Sequence, residues 1–118
     1  MDIETYIDDN GKFIPFACGL YDGKIFKLFY ITDYNNNPED MLIDMIKFIM
    51  VRKYYDYKVY LHNFSKFDGV FLIRILAKLG KLDILYRGGN YMKITLRYDI
   101  NGKLFFYDSL LILPSSLR

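Results

Sequence analysis

Residues 1–31 read MDIETYIDDNGKFIPFACGLYDGKIFKLFYI, and the punctuation of this stretch decides the fold class. Two turn signals, Asp8-Asp9-Asn10-Gly11 and Asp22-Gly23, divide it into three β-prone runs at 1–7, 12–21 and 24–31. The polar run Asn35-Asn36-Asn37-Pro38 then ends the strands. Pro38, Glu39 and Asp40 suit the first turn of a helix, where a proline costs no hydrogen bond and carboxylates meet the positive end of the macrodipole. Leu42, Met45, Ile46 and Ile49 follow at helical spacing, which predicts a helix to about residue 52.

Further along, 58–61 reads as a short strand delivering His62 and Asn63, and 69–79 as a second helix stopped by Gly80. Residues 84–86, 91–98 and 103–107 read as strands, the last two joined by Asp99-Ile100-Asn101-Gly102. The segment 108–118, with Pro114-Ser115-Ser116, reads as a loop entering a helix that is not completed. Three antiparallel strands, a helix, a strand and a helix make an α/β domain with a mixed sheet and flanking helices, of the ribonuclease-H-like kind.

At 118 residues the chain is one domain by size and long enough to bury a core. Hydrophobic content of 53% with 25% charged residues reads as globular. No apolar stretch approaches the roughly 20 residues that span a bilayer. No signal peptide is expected, because Asp2 and Glu4 come first. A lone Cys18 excludes an intramolecular disulfide and fits a reducing compartment. With one Cys and one His, zinc has no ligand set, so any metal is held by oxygen, which points to Mg2+ or Mn2+. A net charge of +2 does not by itself advertise nucleic acid, though a local basic groove is enough to hold a few nucleotides. Twelve Tyr, 10 Phe and no Trp, beside many Ile, Lys and Asn, suit an AT-rich organellar or plasmid genome or simply an aromatic-rich core.

Two acidic motifs carry the chemistry: Asp2-Ile3-Glu4-Thr5, and His62-Asn63-Phe64-Ser65-Lys66-Phe67-Asp68-Gly69. Alternation along a strand aims Asp2 and Glu4 to one side and buries Ile3 on the other. With Asp68, three carboxylates from separate segments can hold two divalent cations, an arrangement suited to phosphodiester cleavage. Each residue also has a plainer reading. Asp2 and Glu4 can be solvated residues of an edge strand, Asp68 a helix N-cap, Phe67 part of the core, and His62 structural. Asp108-Ser109 can cap the final helix, and Lys66 and Arg87 can be ordinary surface cations.

In order along the chain, these motifs resemble the 3′–5′ proofreading exonuclease domain of family B DNA polymerases. Asp2-Ile3-Glu4-Thr5 is similar to its first motif, and Asn63 to Asp68 to its second. Tyr107-Asp108-Ser109-Leu110-Leu111-Ile112-Leu113-Pro114 is similar to a segment of the protein-primed branch found in phages, mitochondrial plasmids and organelles. The resemblance implies that Asp2, Glu4 and Asp68 are the catalytic metal ligands, holding two cations about 4 Å apart. It implies that Thr5, Asn63, Phe67, Ser109 and Leu110 hold the 3′ end of single-stranded DNA. Polar groups would bond sugar or phosphate, and Phe67 would pack on a base without reading it. The implied partners of the intact parent are primer–template DNA and a terminal protein primer, with no membrane, and the implied location is the mitochondrion.

Two departures qualify the activity. Four residues separate Asn63 from Asp68 where some phage relatives have three, which reads as a branch variant. The third exonuclease motif, a Tyr with an Asp four residues on, belongs downstream of Pro114, and neither 54–57 nor 98–102 supplies it. The polymerase palm with its own aspartates is also absent. Asp2 directly follows Met1, and strand ends fray. A misplacement on the order of 1 Å costs about a hundredfold in rate. The expectation is a partial exonuclease domain over 1–118, truncated at its C-terminal side, with feeble or no nuclease activity and no polymerisation by itself. The alternatives are an inactive remnant and a single-stranded nucleic-acid-binding module without catalysis.

Overall fold

The computed structural model describes residues 1–61, 69–88 and 90–108, with the backbone alone at 69, 70, 90–92 and 108. The described residues form two helices and seven strands. The strands are β1 (Asp2–Ile7), β2 (Phe13–Tyr21), β3 (Phe26–Tyr30), β4 (Lys58–Leu61), β5 (Lys81–Arg87), β6 (Asn90–Arg97) and β7 (Lys103–Asp108). The helices are α1 (Pro38–Ile49) and α2 (Gly69–Ala77), and single turns of 3-10 helix lie at Ile31–Tyr34 and Arg52–Tyr54.

β1, β2 and β3 form an antiparallel sheet in that order. Both of its turns are closed by an aspartate that replaces the missing ladder bonds. Asp8 Oδ1 accepts the Asn10 and Lys12 N–H groups at 2.9 Å. Asp22 Oδ1 accepts those of Lys24 and Ile25 at 2.8 and 2.7 Å. Gly23 sits at φ +99°, a conformation that costs a side chain dearly, so the Asp-Gly pair is the natural choice there.

The second sheet has the order β4-β7-β6-β5, with β4 parallel to β7 and the other pairs antiparallel. α1 starts where the proline and acidic residues predict. The Asn37 side chain accepts the Glu39 and Asp40 N–H groups at 3.0 and 3.2 Å, and Pro38 opens the first turn.

One hydrophobic core unites these parts. Met41, Leu42, Met45, Ile46 and Ile49 of α1 and Leu72, Ile75 and Leu76 of α2 pack with residues of both sheets. From the first sheet come Ile3, Cys18, Leu20 and Phe29, and from the second Val59, Leu61, Ile94, Leu96, Leu104 and Phe106. Each sheet therefore has an inner face against the helices and an outer face away from them. α1 leans mainly on β2, and α2 on β5 and β6.

Beyond shifts of one or two residues, three features differ from the sequence reading. α1 ends at Ile49 rather than near residue 52, because the chain turns so that Tyr54 is buried and its hydroxyl donates to Asp22 Oδ2 at 2.6 Å. The turn at Ile31–Tyr34 had no sequence signal; it closes when the Asn35 N–H, in left-handed backbone, donates back to Ile31. β5 begins at Lys81, not 84, because the polar Lys81 and Asp83 pair with Arg97 and Thr95 of β6. The mixed α/β class and every predicted strand among the described residues are present. The expected final loop and helix at 109–118 lies outside the described residues.

Candidate functional site

From Asp2 to Glu4, simple alternation governs the side chains of β1. Ile3 is 5% exposed and faces the core, while Asp2 and Glu4 are exposed on the outer face. Cross-strand neighbours share a face, so the pairing extends this surface row by row. Asp2 stands opposite Gly19, which stands opposite Leu28, and Glu4 opposite Ala17, opposite Tyr30. The central strand thus contributes only small residues between a carboxylate edge and an apolar one. A Cβ on Gly19 would meet Leu28 Cδ2 at 3.1 Å, so Leu28 already leans across this floor. Just beyond Glu4 the ladder shifts at a bulge, and Thr5 comes to lie half-buried opposite Pro15.

Asp2 and Glu4 make no ion pair or side-chain hydrogen bond with another described residue, and the Met1 ammonium lies next to Asp2 in the chain. That ammonium donates to Tyr60 O at 2.8 Å, and burial pulls its pKa below the ordinary value, with Asp2 partly opposing the shift. The bond holds the end of β4 beside the start of β1. Two hard oxygen donors on one open face suit a magnesium-sized or manganese-sized cation in kind but not in number. Among the described residues, no group of three or more His, Cys, Asp or Glu lies close enough to hold a metal. Asp68, the third expected ligand, lies outside the described residues, as do Asn63, Phe67, Ser109 and Leu110. Of the expected site, only Asp2, Glu4 and Thr5 lie within the described residues, as near neighbours along β1.

Two further features escaped the sequence reading. The first is a cleft of about 660 Å³ between the two sheets, bordered by Met1, Leu20 and Tyr21 on one side and by Tyr54 and 57–60 on the other. At its end, Asp22 is held well below the usual carboxylate range, first by the Ile25 N–H, then by the Tyr54 hydroxyl and the Lys24 N–H. Lys53 Nζ lies 3.8 Å from the same carboxylate. Asp22-Gly23 signalled a turn, but nothing local marks Tyr54 as its partner.

The second feature is the outer face of β4, β7 and β6. Tyr60 and Tyr107 stack with centroids 5.8 Å apart, and Lys93 and Lys103 lie 5.7 and 5.5 Å from the centroid of Phe105. With Lys58 opposite Phe105, this is a basic, aromatic surface. On the neighbouring β5, Asp83 pairs with Arg97 of β6 at 2.9 Å. No helix among the described residues is long and apolar enough to cross a membrane.

Comparison with known proteins places the chain. Residues 48–118 match the family described as DNA polymerase type B, organellar and viral. That span includes the second sheet and both later motifs. A "Probable DNA polymerase" of Neurospora intermedia is 44% identical over 108 residues, covering 87% of this chain and 11% of that protein. A "Probable DNA polymerase" of Ascobolus immersus is 34% identical over 122 residues, covering 99% of this chain and 10% of that protein. No solved structure matches. The chain spans about a tenth of the length of these curated relatives. With more than half of its residues matched, the chain belongs to the organellar and viral type B DNA polymerase family, as a part of such a polymerase.

Proposed function

We propose that this chain is part of the 3′–5′ exonuclease domain of a protein-primed type B DNA polymerase, with the polymerase palm outside it. Family membership implies DNA as partner and divalent metal as cofactor. The finer reading rests on one observation: Asp2 and Glu4 share an open sheet face while Ile3 between them is in the core. Two carboxylates free of described partners are poised to bind cation rather than to stabilise the fold. The bond from Met1 to Tyr60, which sets the start of β1 beside β4, is compatible with a ribonuclease-H-like strand order, although the two sheets are separate among the described residues.

In this reading Asp2 and Glu4 bind Mg2+ or Mn2+, and Asp68 completes the ligand set. When bound, such cations activate water and stabilise the leaving oxygen in phosphodiester hydrolysis. Thr5, Asn63, Phe67, Ser109 and Leu110 hold the 3′ end of single-stranded DNA. The parent works on primer–template DNA with a terminal protein primer, in the mitochondrion. The chain alone cleaves feebly or not at all, since the third exonuclease motif is not within it, and it does not polymerise, since the palm is not.

The basic, aromatic outer face of β4, β7 and β6 favours a second reading, a single-stranded nucleic-acid-binding module without catalysis. One assay separates the two. Purified chain is given Mn2+ and a 3′-labelled single-stranded oligonucleotide. Slow stepwise loss of label that disappears in Asp2→Ala and Asp68→Ala supports the exonuclease. Binding without any cleavage favours the module, and neither binding nor cleavage favours an inactive remnant.

A further inference from the structure

β1, with Asp2 and Glu4, belongs to one sheet, and β4, from which the second acidic motif continues, belongs to the other. Among the described residues no strand ladder joins β1 to β4. The shared core holds the two sheets together, but apolar burial is non-directional. A directional tie is supplied by Asp22, which follows directly on β2, the strand whose Gly19 pairs with Asp2. Its carboxylate is divided between two tasks. Oδ1 closes the hairpin by accepting the Lys24 and Ile25 N–H groups, and Oδ2 accepts the Tyr54 hydroxyl from across the cleft at 2.6 Å. Asp8 closes the other hairpin with its Oδ1, so a turn of this kind needs one oxygen and leaves the second for a distant partner.

Tyr54 stands on the lead-in to β4, and that lead-in is fastened to the second sheet. The Tyr54 and Tyr57 rings meet edge to face with centroids 5.0 Å apart. The Asp56 N–H donates to Lys103 O at 2.8 Å, and the Phe105 N–H to Tyr57 O at 3.1 Å. Each end of the Asp22–Tyr54 bond is therefore rigid with its own sheet, although 32 residues separate the partners in the chain. Lys53 Nζ adds a cation to both, 3.8 Å from Asp22 Oδ2 and 5.3 Å from the Tyr54 ring centroid. We propose that Asp22 and Tyr54 are positioning residues, a cross-sheet brace that fixes β1, with Asp2 and Glu4, against the end of β4 and so holds the cation site to its geometry. The inference rests on the exonuclease reading, and in it neither residue touches metal or DNA. A phenylalanine would fill the place of the Tyr54 ring equally well; only the hydroxyl gives the contact a direction.

Tyr54→Phe removes the brace and keeps the ring. Tyr34→Phe is the control, because it loses a 2.5 Å hydroxyl bond to Asp44 of α1 that does not run between the sheets. Mn2+ affinity is read by electron paramagnetic resonance titration. The placement of the sheets is read by pulsed dipolar spectroscopy between spin labels at Asp9→Cys and Ile100→Cys, exposed turn positions on the first and second sheet; Cys18 is buried and stays unlabelled. Tyr54→Phe is expected to weaken Mn2+ binding by about tenfold and to broaden the distance distribution, while Tyr34→Phe matches the parent in both. Mn2+ affinity equal to the parent's in Tyr54→Phe overturns the proposal and leaves the exonuclease reading standing. An unchanged distance distribution overturns it as well, and so does equal weakening in both variants, which would mark a general loss of stability. A parent chain that binds no Mn2+ counts against the exonuclease reading itself, and the brace is then decided by the distances alone.

Discussion

Ile3→Ala and Ile7→Ala remove the same three carbons from the same strand, yet the structure assigns them different costs. Ile3 is 5% exposed and Ile7 62% exposed. At about 0.8 kcal/mol per buried carbon, Ile3→Ala forfeits roughly 2.3 kcal/mol of transfer free energy, and Ile7→Ala about 0.9. Ile3 also leaves a hole against Cys18 and Phe29, and incomplete collapse around it brings its cost to about 3 kcal/mol. Urea denaturation of the two variants beside the parent measures the gap, expected to be about 2 kcal/mol with unchanged slope. The pair matters because the inward turn of Ile3 is what puts Asp2 and Glu4 on the outer face. Equal costs, or a cost below about 1 kcal/mol for Ile3→Ala, would refute the reasoning. β1 would then fray or face the other way, and the shared carboxylate surface would go with it.

Three other predictions concern parts of the fold that frame the site. A Cβ on Gly80 would lie 2.3 Å from Arg97 O, backbone that cannot swing aside, so Gly80→Ala should part the first rung of β5 and β6 and cost about 2–3 kcal/mol in urea denaturation. Gly23→Ala meets nothing within 4 Å and should cost only the conformational strain of its positive φ, about 1 kcal/mol. For Asp22, the folded pKa is depressed, so its contribution to stability is complete above the unfolded value of about 3.9 and is lost as pH falls towards the folded one. The parent should therefore lose Tm between about pH 4 and pH 2 more steeply than Asp22→Asn, a difference read by thermal melts across that range.

How much could be read in advance depends on whether the cause was local. The turns at Asp8 and Asp22 and the start of α1 were legible, because an aspartate, a glycine, an asparagine or a proline acts on backbone groups two or three residues away. The common face of Asp2 and Glu4 was legible too, since strand alternation needs no tertiary information. The end of α1 was not. Its stripe continues in composition past Ile49, but the chain breaks there to bury Tyr54 against Asp22, a partner 32 residues earlier. The start of β5 was hidden in the same way: Lys81 and Asp83 have little strand character, and their place comes from the β6 backbone opposite. Of the expected site, Asn63, Phe67, Asp68, Ser109 and Leu110 lie outside the described residues, and Asp2, Glu4 and Thr5 lie within them.

The sequence alone determined the mixed α/β class, the order of its elements and the pairing of two carboxylates around a buried isoleucine. Each follows from interactions over one turn or one strand pleat. Only the tertiary structure decided that the strands divide into two sheets sharing one core, that Gly19 and Ala17 form a small-residue floor beside the carboxylates, and that a cleft lies between the sheets. Those features depend on register between strands far apart in the chain, and register is set by which faces the core will bury, a property no single segment carries.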